Sequence, residues 1–496
     1  MQIKFGEWLP DRPRLNNPGV VIAKNVVPGG ESYLPLKSFS SLTSALAARP
    51  RGAISVTSNA DATYGYVGTK EALFRIGAVA HTDATRSSGA YSLGDQTNWN
   101  FVKWGDGIIA CALEAEPQLI SLGSARFANL GGSPPKAKYV AVVGDFVVLG
   151  NINDGSAKPT TIKWSGIDDA TAWTPSATTL SDVQELRSKK NGGGQITGLT
   201  GGLEYGLIFQ EYTIQRMTYS GSPYVFTINE VLPGIGTENS NSITQEGRLI
   251  HFLGQDGFYE LVDGSNARKI GDQKVDAWFR SDYDSNYPNS VVGASDPRSS
   301  LVIWTYPGAD SSGGRPNKYI AYNWFVEKWS YGELESEWIW SAISEGYTLE
   351  ELDNINASID ALGISLDDQD LNSKNLQFSL YNTDYKKGVF SGTALSAQVD
   401  TGEFQFNDPN KSIITGTRPL VDSAGVEGGA TVTATVGSRE SQIDSVSFGS
   451  ASTPSTHTGY APSRSNGRYH TIRVSTSGDF NHIFGADVEA VAGGKR

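Results

Sequence analysis

Cysteine is almost absent from this chain, which has a single cysteine, Cys111, among 496 residues. An internal disulfide is therefore excluded, and a secreted scaffold stabilised by disulfide bridges is disfavoured. Because Cys111 lies inside the apolar run Ile108-Ile-Ala-Cys-Ala-Leu, we expect it to be a small buried hydrophobic residue rather than a reactive thiol.

Enzymatic motifs are lacking as well. The chain has no His-Glu-x-x-His helix, no Cys-x-x-Cys pair, no Gly-x-Ser-x-Gly elbow and no phosphate-binding Gly-x-x-x-x-Gly-Lys loop. Its five histidines lie far apart in sequence, and the acidic run at Asp367, Asp368 and Asp370 lacks the ligand spacing of a calcium-binding hand. We therefore predict a protein without catalytic residues, bound metal or cofactor.

Positive charge and long apolar runs are scarce. The formal net charge is −13, so broad nucleic-acid binding is not expected, because phosphate contacts need clustered Lys and Arg. The longest apolar stretch, residues 139–149, is interrupted by Gly144 and Asp145, and the first residues contain no apolar signal-peptide core. We expect no export signal and no membrane span. Any contact with DNA should occur without stable binding.

The residues that are abundant favour β-structure. The chain has 56 Gly, 21 Tyr, 19 Phe and 11 Trp beside two Met, and few stretches show helical periodicity. Two apolar runs around a tight Gly- or Asp-containing turn recur about every 40 to 60 residues, the interval of a four-stranded propeller blade. The five copies are Trp104-Gly-Asp-Gly-Ile-Ile-Ala, Val143-Gly-Asp-Phe-Val-Val-Leu, Gly202-Leu-Glu-Tyr-Gly-Leu-Ile-Phe, Glu246-Gly-Arg-Leu-Ile-His-Phe-Leu and Asp296-Pro-Arg-Ser-Ser-Leu-Val-Ile-Trp. We predict an all-β chain built around a β-propeller.

Changes in composition divide the chain into three predicted regions. Residues 1–52 are rich in proline and glycine and cannot build a core of their own. The embedded Trp8 and Tyr33 favour an extended N-terminal arm that lies over other surfaces. Residues 53–394 alternate strand and turn and form the predicted propeller, whereas the Ser-, Thr- and Gly-rich residues 395–496 predict a C-terminal β-sandwich-like module.

One segment has a helical pattern and is predicted as an insertion in the propeller. Thr348 and Glu351 form a capping box, Gly363 provides a C-terminal stop, and the expected helix covers about residues 348–362. Its apolar stripe consists of Leu349, Leu352, Ile355, Ile359 and Leu362. The stripe either packs on the neighbouring sheet or contacts another subunit.

Residues 162–175 are similar to the Asp-box of sialidase propellers, which would indicate glycan hydrolysis. The spacing differs, because Ile167 stands where that box has Asp. We interpret Trp164 and Trp173 instead as an aromatic pair that staples a hairpin at a blade edge.

A series of short segments runs in order along nearly the whole chain. They are Trp8-Leu-Pro-Asp-Arg-Pro, Asn25-Val-Val-Pro, Tyr33-Leu-Pro-Leu, Trp164-Ser-Gly-Ile-Asp-Asp-Ala-Thr-Ala-Trp-Thr-Pro, Phe252-Leu-Gly-Gln-Asp-Gly-Phe-Tyr, Lys274-Val-Asp-Ala-Trp-Phe, Leu349-Glu-Glu-Leu-Asp, Ser358-Ile-Asp-Ala-Leu and Gly467-Arg-Tyr-His. Taken together, the series resembles the tail hub or nozzle proteins of short-tailed, podovirus-type bacteriophages, also called packaged-DNA stabilisation proteins.

The resemblance implies a propeller-bearing structural protein of the virion tail, assembled in the host cytoplasm. Such a protein forms a homo-hexamer below the dodecameric head–tail adaptor on the portal and continues the DNA ejection channel. It helps to retain packaged DNA and anchors tail fibres or spikes, and it has no catalytic residues. A chain of net negative charge is compatible with a channel wall along which genomic DNA slides without specific binding.

Five residues are candidate assembly contacts on this interpretation: Trp8, Arg12, Tyr33, Leu352 and Ile355. The competing function is a glycan-binding or glycan-hydrolysing β-propeller. Hydrolysis would require exposed Trp and Tyr beside a pair of carboxylates that flank the scissile bond. A third possibility is a cytoplasmic scaffold propeller, which would lack both the strapping arm and the association with a virion.

Overall fold

A computed structural model of the protein describes residues 1–187, 192–221, 224–344, 358, 374–407, 410–426 and 429–494. The first 45 residues contain five strands, four of which pair with later parts of the chain, whereas the third pairs with the fourth. They are β1 (Gln2–Lys4), β2 (Val20–Lys24), β3 (Val26–Pro28), β4 (Tyr33–Pro35) and β5 (Lys37–Ala45).

Seven four-stranded antiparallel units follow, here called sheets I to VII. Sheet I has β6 (Ala53–Thr57), β7 (Thr63–Gly68), β8 (Leu73–Ile76) and β9 (Thr82–Asp83). Sheet II has β10 (Asn100–Trp104), β11 (Gly107–Ala112), β12 (Ala115–Ser121) and β13 (Ala128–Asn129). Sheet III has β14 (Lys136–Val143), β15 (Phe146–Asn153), β16 (Ala157–Trp164) and β17 (Asp182–Glu185). Sheet IV has β18 (Ile196–Thr200), β19 (Tyr205–Gln210), β20 (Thr213–Tyr219) and β21 (Phe226–Pro233).

The remaining sheets of the series surround a short helical connection. Sheet V has β22 (Thr244–Glu246), β23 (Leu249–Gly254), β24 (Gly257–Val262) and β25 (Asn266–Lys269). Helix α1 (Asp276–Asp282) and the 3₁₀ turns Ser240–Ser242 and Pro288–Ser290 flank it. Sheet VI has β26 (Val292–Asp296), β27 (Leu301–Tyr306), β28 (Lys318–Asn323) and β29 (Lys328–Glu333). Sheet VII has β30 (Trp338–Ile343), β31 (Leu376–Tyr381) and β32 (Lys386–Ala394) and is completed by β5.

The seven sheets close into a ring. First strands of neighbouring sheets lie side by side, as β10 does with β14, and β30 of sheet VII returns to β6 of sheet I. Separate apolar clusters fill the spaces between adjoining sheets. This arrangement is propeller-like, and it confirms the predicted all-β fold.

Each copy of the recurring phrase lies at the turn between the first and second strands of its sheet. The turns span residues 105–106 in sheet II, 144–145 in III, 201–204 in IV, 247–248 in V and 297–300 in VI. Gly105, Gly144 and Gly247 have φ values of 53°, 56° and 59°, a conformation that a tight hairpin requires and that glycine adopts without strain. The repeat in the sequence therefore marks the same position in five successive sheets.

Strand β5 corrects the expected boundary of the N-terminal region. Residues 37–45 pair antiparallel with β32, with Phe39 opposite Phe390, and so form the outer strand of sheet VII. The segment therefore closes the ring instead of lying over it. A hydrogen bond from the backbone N–H of Lys387 to Thr43 Oγ1 also joins the two strands. Sequence periodicity could not indicate this pairing, because the partner strand is some 340 residues away.

The C-terminal residues form two sheets that include N-terminal strands. Strands β33 (Ala397–Thr401), β38 (Tyr469–Ser477), β35 (Thr431–Arg439) and β36 (Ser447–Phe448) continue from β2, which lies parallel to β29 and so extends sheet VI to nine strands. Strands β34 (Ser412–Asp422), β37 (Ala461–Gly467) and β39 (His482–Ala492) make the second sheet together with β1, β3 and β4. Residues of both sheets share one apolar cluster with sheet VI and α1.

The predicted helix over residues 348–362 lies outside the described residues, apart from Ser358, which belongs to no helix or strand. Within the described ranges α1 is the single α-helix. Helix α1 was not predicted, because seven residues are too few to show a helical period.

Candidate interaction surfaces

An aromatic cluster joins the N-terminal segment to α1 and sheet VI. The Trp8 ring stacks on Tyr331 with ring centroids 4.6 Å apart and meets Trp278 edge-on at 4.8 Å. The Trp8 indole N–H donates to the carbonyl oxygen of Val21 at 3.1 Å. We call Trp8, Asp11, Trp278 and Tyr331 the clasp, because it ties sequence-distant parts of the chain together.

Asp11 provides the polar half of the clasp. Its two carboxylate oxygens accept hydrogen bonds from the backbone N–H groups of Ala277 (2.8 Å) and Trp278 (2.7 Å). These N–H groups belong to the first turn of α1, where no intrahelical partner exists and where negative charge is stabilising. The Lys274 ammonium group pairs with Glu7 at 2.5 Å beside it. Asp11 thus performs from a distance the role that a local capping residue normally performs.

Two of the candidate assembly contacts are internal in the structure. Trp8 and Tyr33 are almost fully buried, and the Tyr33 hydroxyl donates to the Gly6 carbonyl at 2.8 Å. Burial raises the pKa of Tyr33, so the phenol stays protonated. Both residues therefore stabilise the chain's own core in this conformation and present no surface to another subunit. Arg12 is exposed beside the clasp.

The remaining two candidates, Leu352 and Ile355, lie outside the described residues. Their contacts stay a prediction.

Amide side chains bridge one mouth of the ring. Asn98 precedes the first strand of sheet II, Asn241 that of sheet V and Asn289 that of sheet VI. The carbonyl oxygen of Asn289 accepts from the Asn98 side chain at 3.3 Å and from the Asn241 side chain at 2.8 Å. The Asn289 amide in turn donates to the backbone of Gln96 at 3.4 Å. Loops from opposite sides of the ring are thereby joined across its axis.

A buried carboxylate reinforces this mouth. The Glu337 side chain is fully buried and pairs with Arg49 at 2.5 Å and with Arg315 at 3.3 Å. Arg51, whose pKa is lowered by burial, donates to the backbone of Gly94 and Thr97. Because a buried carboxylate without partners is costly, the two arginines hold the loops around Glu337 in place.

The ring axis below this mouth contains a cavity of about 380 Å³. Its wall is formed by the first strands of sheets II to IV and by the start of sheet V, and its polar side chains are Asn100, Asn241, Thr200, Ser240, Tyr139 and Gln245. The described lining residues include no Asp, Glu, His, Lys or Arg.

A larger cavity of about 510 Å³ lies on the same face as the bridged mouth, between sheets IV and V and α1. Tyr212 and Tyr283 contribute aromatic rings, and the Tyr283 hydroxyl donates to Asn239 at 2.9 Å. Glu238, which accepts from the Gln255 amide at 3.3 Å, is the one carboxylate among the described lining residues. Arg280 lines the cavity and donates to the Asp256 carbonyl at 2.7 Å.

Asp276 lies between α1 and sheet V next to this cavity. Burial raises the pKa of Asp276 to about 6, although its carboxylate accepts the backbone N–H of Phe258 at 3.1 Å. A carboxyl group that titrates near neutrality can serve as a general acid or base where substrate reaches it. Asp276 does not line the cavity, so we assign it to the packing of α1 against sheet V.

Trp164 and Trp173 do not contact each other as the predicted staple requires. Trp164 packs edge-on to Phe226 at 5.3 Å in the cluster between sheets III and IV. Trp173 belongs to the cluster between sheets II and III, and its indole N–H donates to the Ala170 carbonyl at 2.7 Å. Both have a structural role, but each tryptophan seals a different boundary of sheet III.

No group of three or more His, Cys, Asp or Glu residues that could hold a metal ion occurs in the described ranges. No helix of the same residues is long and apolar enough to cross a membrane.

Comparisons with known proteins find only weak likenesses. No protein-family model and no curated protein matches the chain. Similar solved structures include the extracellular domain of the one-component system BT4673 from B. thetaiotaomicron, with 11% identity, a TM-score of 0.42 and coverage of 80% of this chain and 42% of that one. The Pan2 WD40 domain of Neurospora crassa has 8% identity, a TM-score of 0.39 and coverage of 73% and 96%. The computationally designed Ika8 protein has 10% identity, a TM-score of 0.36 and coverage of 71% and 99%.

The chain spans less than half the length of the first of these structures. Likenesses at this level carry no argument about function.

Proposed function

We propose that this protein is a structural subunit of a short phage tail. In this proposal six copies form a hub or nozzle below the head–tail adaptor of the portal, continue the DNA ejection channel, help to retain packaged DNA and anchor tail fibres or spikes. The subunit carries a β-propeller with a β-sandwich-like C-terminal module and performs no catalysis.

The observation that carries the proposal is the contact between segments of the phage-like series. Asp11 of the first segment binds the backbone of Ala277 in the Lys274 segment, 266 residues away. Phe258 of another segment packs on Phe279 at 4.8 Å, and the backbone N–H of Asn25 donates to Tyr331 of the clasp at 2.8 Å. Four of the nine segments chosen by sequence resemblance alone thus lie in one structural joint, as expected if they are the signature of a shared architecture.

The bridged mouth bears on the path of DNA. The hydrogen bonds of Asn289 join loops from opposite sides of the ring of a single subunit, and the cavity of about 380 Å³ below them is too small to hold a DNA duplex. DNA would therefore run along the axis of a ring of subunits rather than through one propeller. The net charge of −13 suits a wall that must not retain a polyanion.

The test is quantitative mass spectrometry of purified virus particles from the source of this chain, with the portal protein as internal standard. A hexameric hub predicts about half the copy number of the portal. Absence of the chain from particles would remove the proposal and favour the glycan-binding alternative.

A glycan-binding propeller is the second candidate, and the cavity beside Tyr212 is the observation that favours it. Aromatic rings, a guanidinium group and amides suit the stacking and hydrogen bonding of a sugar. Hydrolysis is less favoured than binding, because the described lining residues provide one carboxylate, Glu238, where two are needed. A glycan array probed with the wild type and with Tyr212→Ala decides this candidate, since loss of a specific signal in the variant would support it.

A further inference from the structure

Exposed hydrophobic side chains are concentrated on one face of sheets III and IV. Strands one and three of an antiparallel sheet run in the same direction, so the turn after strand one and the turn after strand three lie at the same end of the sheet. These ends lie on one face of the ring, here called the turn face. Of the eleven large hydrophobic residues that are exposed in the described part of the chain, four lie on the turn face of these two sheets: Ile167, Leu203, Tyr219 and Tyr224. Leu203 is 90% exposed and Tyr224 is 78% exposed. Large exposed apolar groups that cluster in this way mark interaction sites.

Backbone hydrogen bonds hold the turns that carry these residues side by side. The N–H of Gly144 donates to the carbonyl of Gly202 at 2.8 Å, and the N–H of Asp168 donates to the carbonyl of Asp145 at 2.8 Å. The Tyr219 ring packs against Phe146 with centroids 5.7 Å apart. The turns of sheets III and IV therefore form one preorganised surface rather than independent loops, which lowers the entropic cost of binding.

Carboxylates surround the apolar groups. Asp145, Asp168 and Glu204 are all exposed, and none of the three has an ion-pair partner among the described residues. Arg248 lines a small cavity together with Leu203 and Glu204, but its guanidinium group pairs with Asp263 at 3.3 Å. Arg216 lies over the Tyr205 ring at 4.0 Å. The surface therefore has exposed apolar side chains and three carboxylates that are not in ion pairs.

We propose that this surface docks a basic segment of a different polypeptide that carries a large apolar side chain. The docking surface consists of Asp145, Ile167, Asp168, Leu203, Glu204, Tyr219 and Tyr224. Lys or Arg of the partner pairs with the three carboxylates, and its apolar side chain packs on Leu203 and Tyr224. Nucleic acid and anionic lipid are disfavoured as occupants because the three carboxylates repel their phosphates. A basic segment is favoured because its cations complement these carboxylates.

Binding of a labelled peptide to the full-length protein tests this inference. The probe is a fluorescein-labelled peptide of alternating leucine and lysine, measured by fluorescence anisotropy. A leucine–glutamate peptide and a serine–lysine peptide of the same length serve as controls for charge and for apolar contact. The double variant Leu203→Ser/Tyr224→Ser should bind the leucine–lysine peptide about tenfold more weakly or worse, because it removes the apolar contact. A tenfold loss of affinity corresponds to roughly 1.4 kcal/mol.

Two further variants separate specific docking from general attraction to an acidic protein. Phe325 and Ile443 are 82% and 94% exposed at other places on the chain, so the matched control Phe325→Ser/Ile443→Ser should bind as the wild type does. The triple variant Asp145→Asn/Asp168→Asn/Glu204→Gln should bind more weakly and with less dependence on salt.

Equal binding by all variants, or equally tight binding of the leucine–glutamate peptide, would overturn the proposal. Self-association of the wild type that disappears in Leu203→Ser/Tyr224→Ser, measured by analytical ultracentrifugation, would also overturn it, because the occupant would then be a second copy. The docking inference does not depend on the tail function: particle composition tests the one and peptide binding the other.

Discussion

Sheets I to V and sheets VI and VII are built in different ways. Each of the first five consists of one continuous stretch of chain, as sheet II does over residues 100–129. Sheet VII needs β5 from the N-terminal region, and sheet VI is extended by β2 and four C-terminal strands. The difference shows that local hairpins make the repeating units of this molecule, whereas sequence-distant strands close the ring and attach the C-terminal module.

This contrast has a consequence for folding. Hairpins of adjacent strands can form early because their loop-closure cost is small, whereas pairings across some 340 residues must follow the ordering of the intervening chain. We therefore expect the closure to be the part of the molecule most sensitive to mutation.

Deleting residues 1–45 should abolish cooperative folding of the whole chain. The deletion removes β5 from sheet VII, β2 from the extension of sheet VI and Trp8 from the clasp. Circular dichroism during heating measures the effect, and the exposed pair Arg12→Ala/Arg14→Ala is the control, expected to melt as the wild type does. A truncated chain with an unchanged melting transition would show that the first 45 residues are a dispensable arm.

Trp8→Ala should lower the free energy of unfolding by about 3 to 5 kcal/mol, because it empties a buried site between Tyr331 and Trp278. Guanidinium denaturation measures the loss. Phe325→Ala, at an exposed position, should change the same quantity by less than about 0.5 kcal/mol. Similar losses in the two variants would mean that the clasp contributes no more than a surface residue does.

Asp11→Ala should destabilise the protein by about 1 kcal/mol, since two N–H groups at the start of α1 lose their acceptor. Asp11→Asn keeps one side-chain oxygen and should lose less. The comparison uses chemical denaturation of both variants under identical conditions. If alanine and asparagine have equal effects, the carboxylate does not act as a cap.

The stability of the joint at α1 should depend on pH through Asp276. Burial raises the pKa of Asp276 from the ordinary 3.8 to about 6, so between these values the folded state binds more protons than the unfolded state does. The contribution of Asp276 to the free energy of unfolding therefore falls as pH rises from about 4 to 6, and the destabilisation is complete above that range. Denaturation of the wild type and of Asp276→Asn across this range should give a difference that changes with pH in this direction. A constant difference would show that Asp276 titrates normally.

The smallest expected effect is the alkylation of the Cys111 thiol in the native protein. Its rate measures whether sheet II opens locally. Cys111 is fully buried in β11, and burial raises the pKa of its thiol, so the reactive thiolate is suppressed. Iodoacetamide should not modify native protein over hours, as followed by intact-mass spectrometry, and modification should begin only with global unfolding. Rapid modification without loss of ellipticity would show that sheet II opens independently of the closure.

The sequence-based predictions succeeded where structure is local. The Gly- and Asp-containing turns of five sheets were located because a tight turn between alternating apolar runs requires particular residues within four or five positions. The burial of Cys111 followed from its apolar run in the same way. The pairing of Trp164 with Trp173 was wrong, because nine residues of separation suggested a hairpin contact, whereas the packing of neighbouring sheets directs the two rings to opposite sides of sheet III.

The interaction surfaces were predicted less well. Trp8 and Tyr33 were predicted as assembly contacts because they are aromatic residues in a proline-rich segment. In the structure they are buried in the chain's own core. Leu203 and Asp145 were not predicted as contact residues, because a single exposed leucine or aspartate in a turn is common. They become a candidate site only when the turns of sheets III and IV are placed next to each other.

By itself, the sequence determined the all-β class, the spacing of the repeating sheets and the positions of their first turns, since these depend on residue types within a few positions of each other. The tertiary structure alone decided that β5 completes sheet VII, that Asp11 caps a helix 266 residues away and that exposed residues of two sheets form one surface. Turns and strands depend on residue types and apolar periodicity within a few positions, so they can be predicted from the sequence. Pairing between distant strands depends on which complementary strands and side chains meet once the whole chain has collapsed.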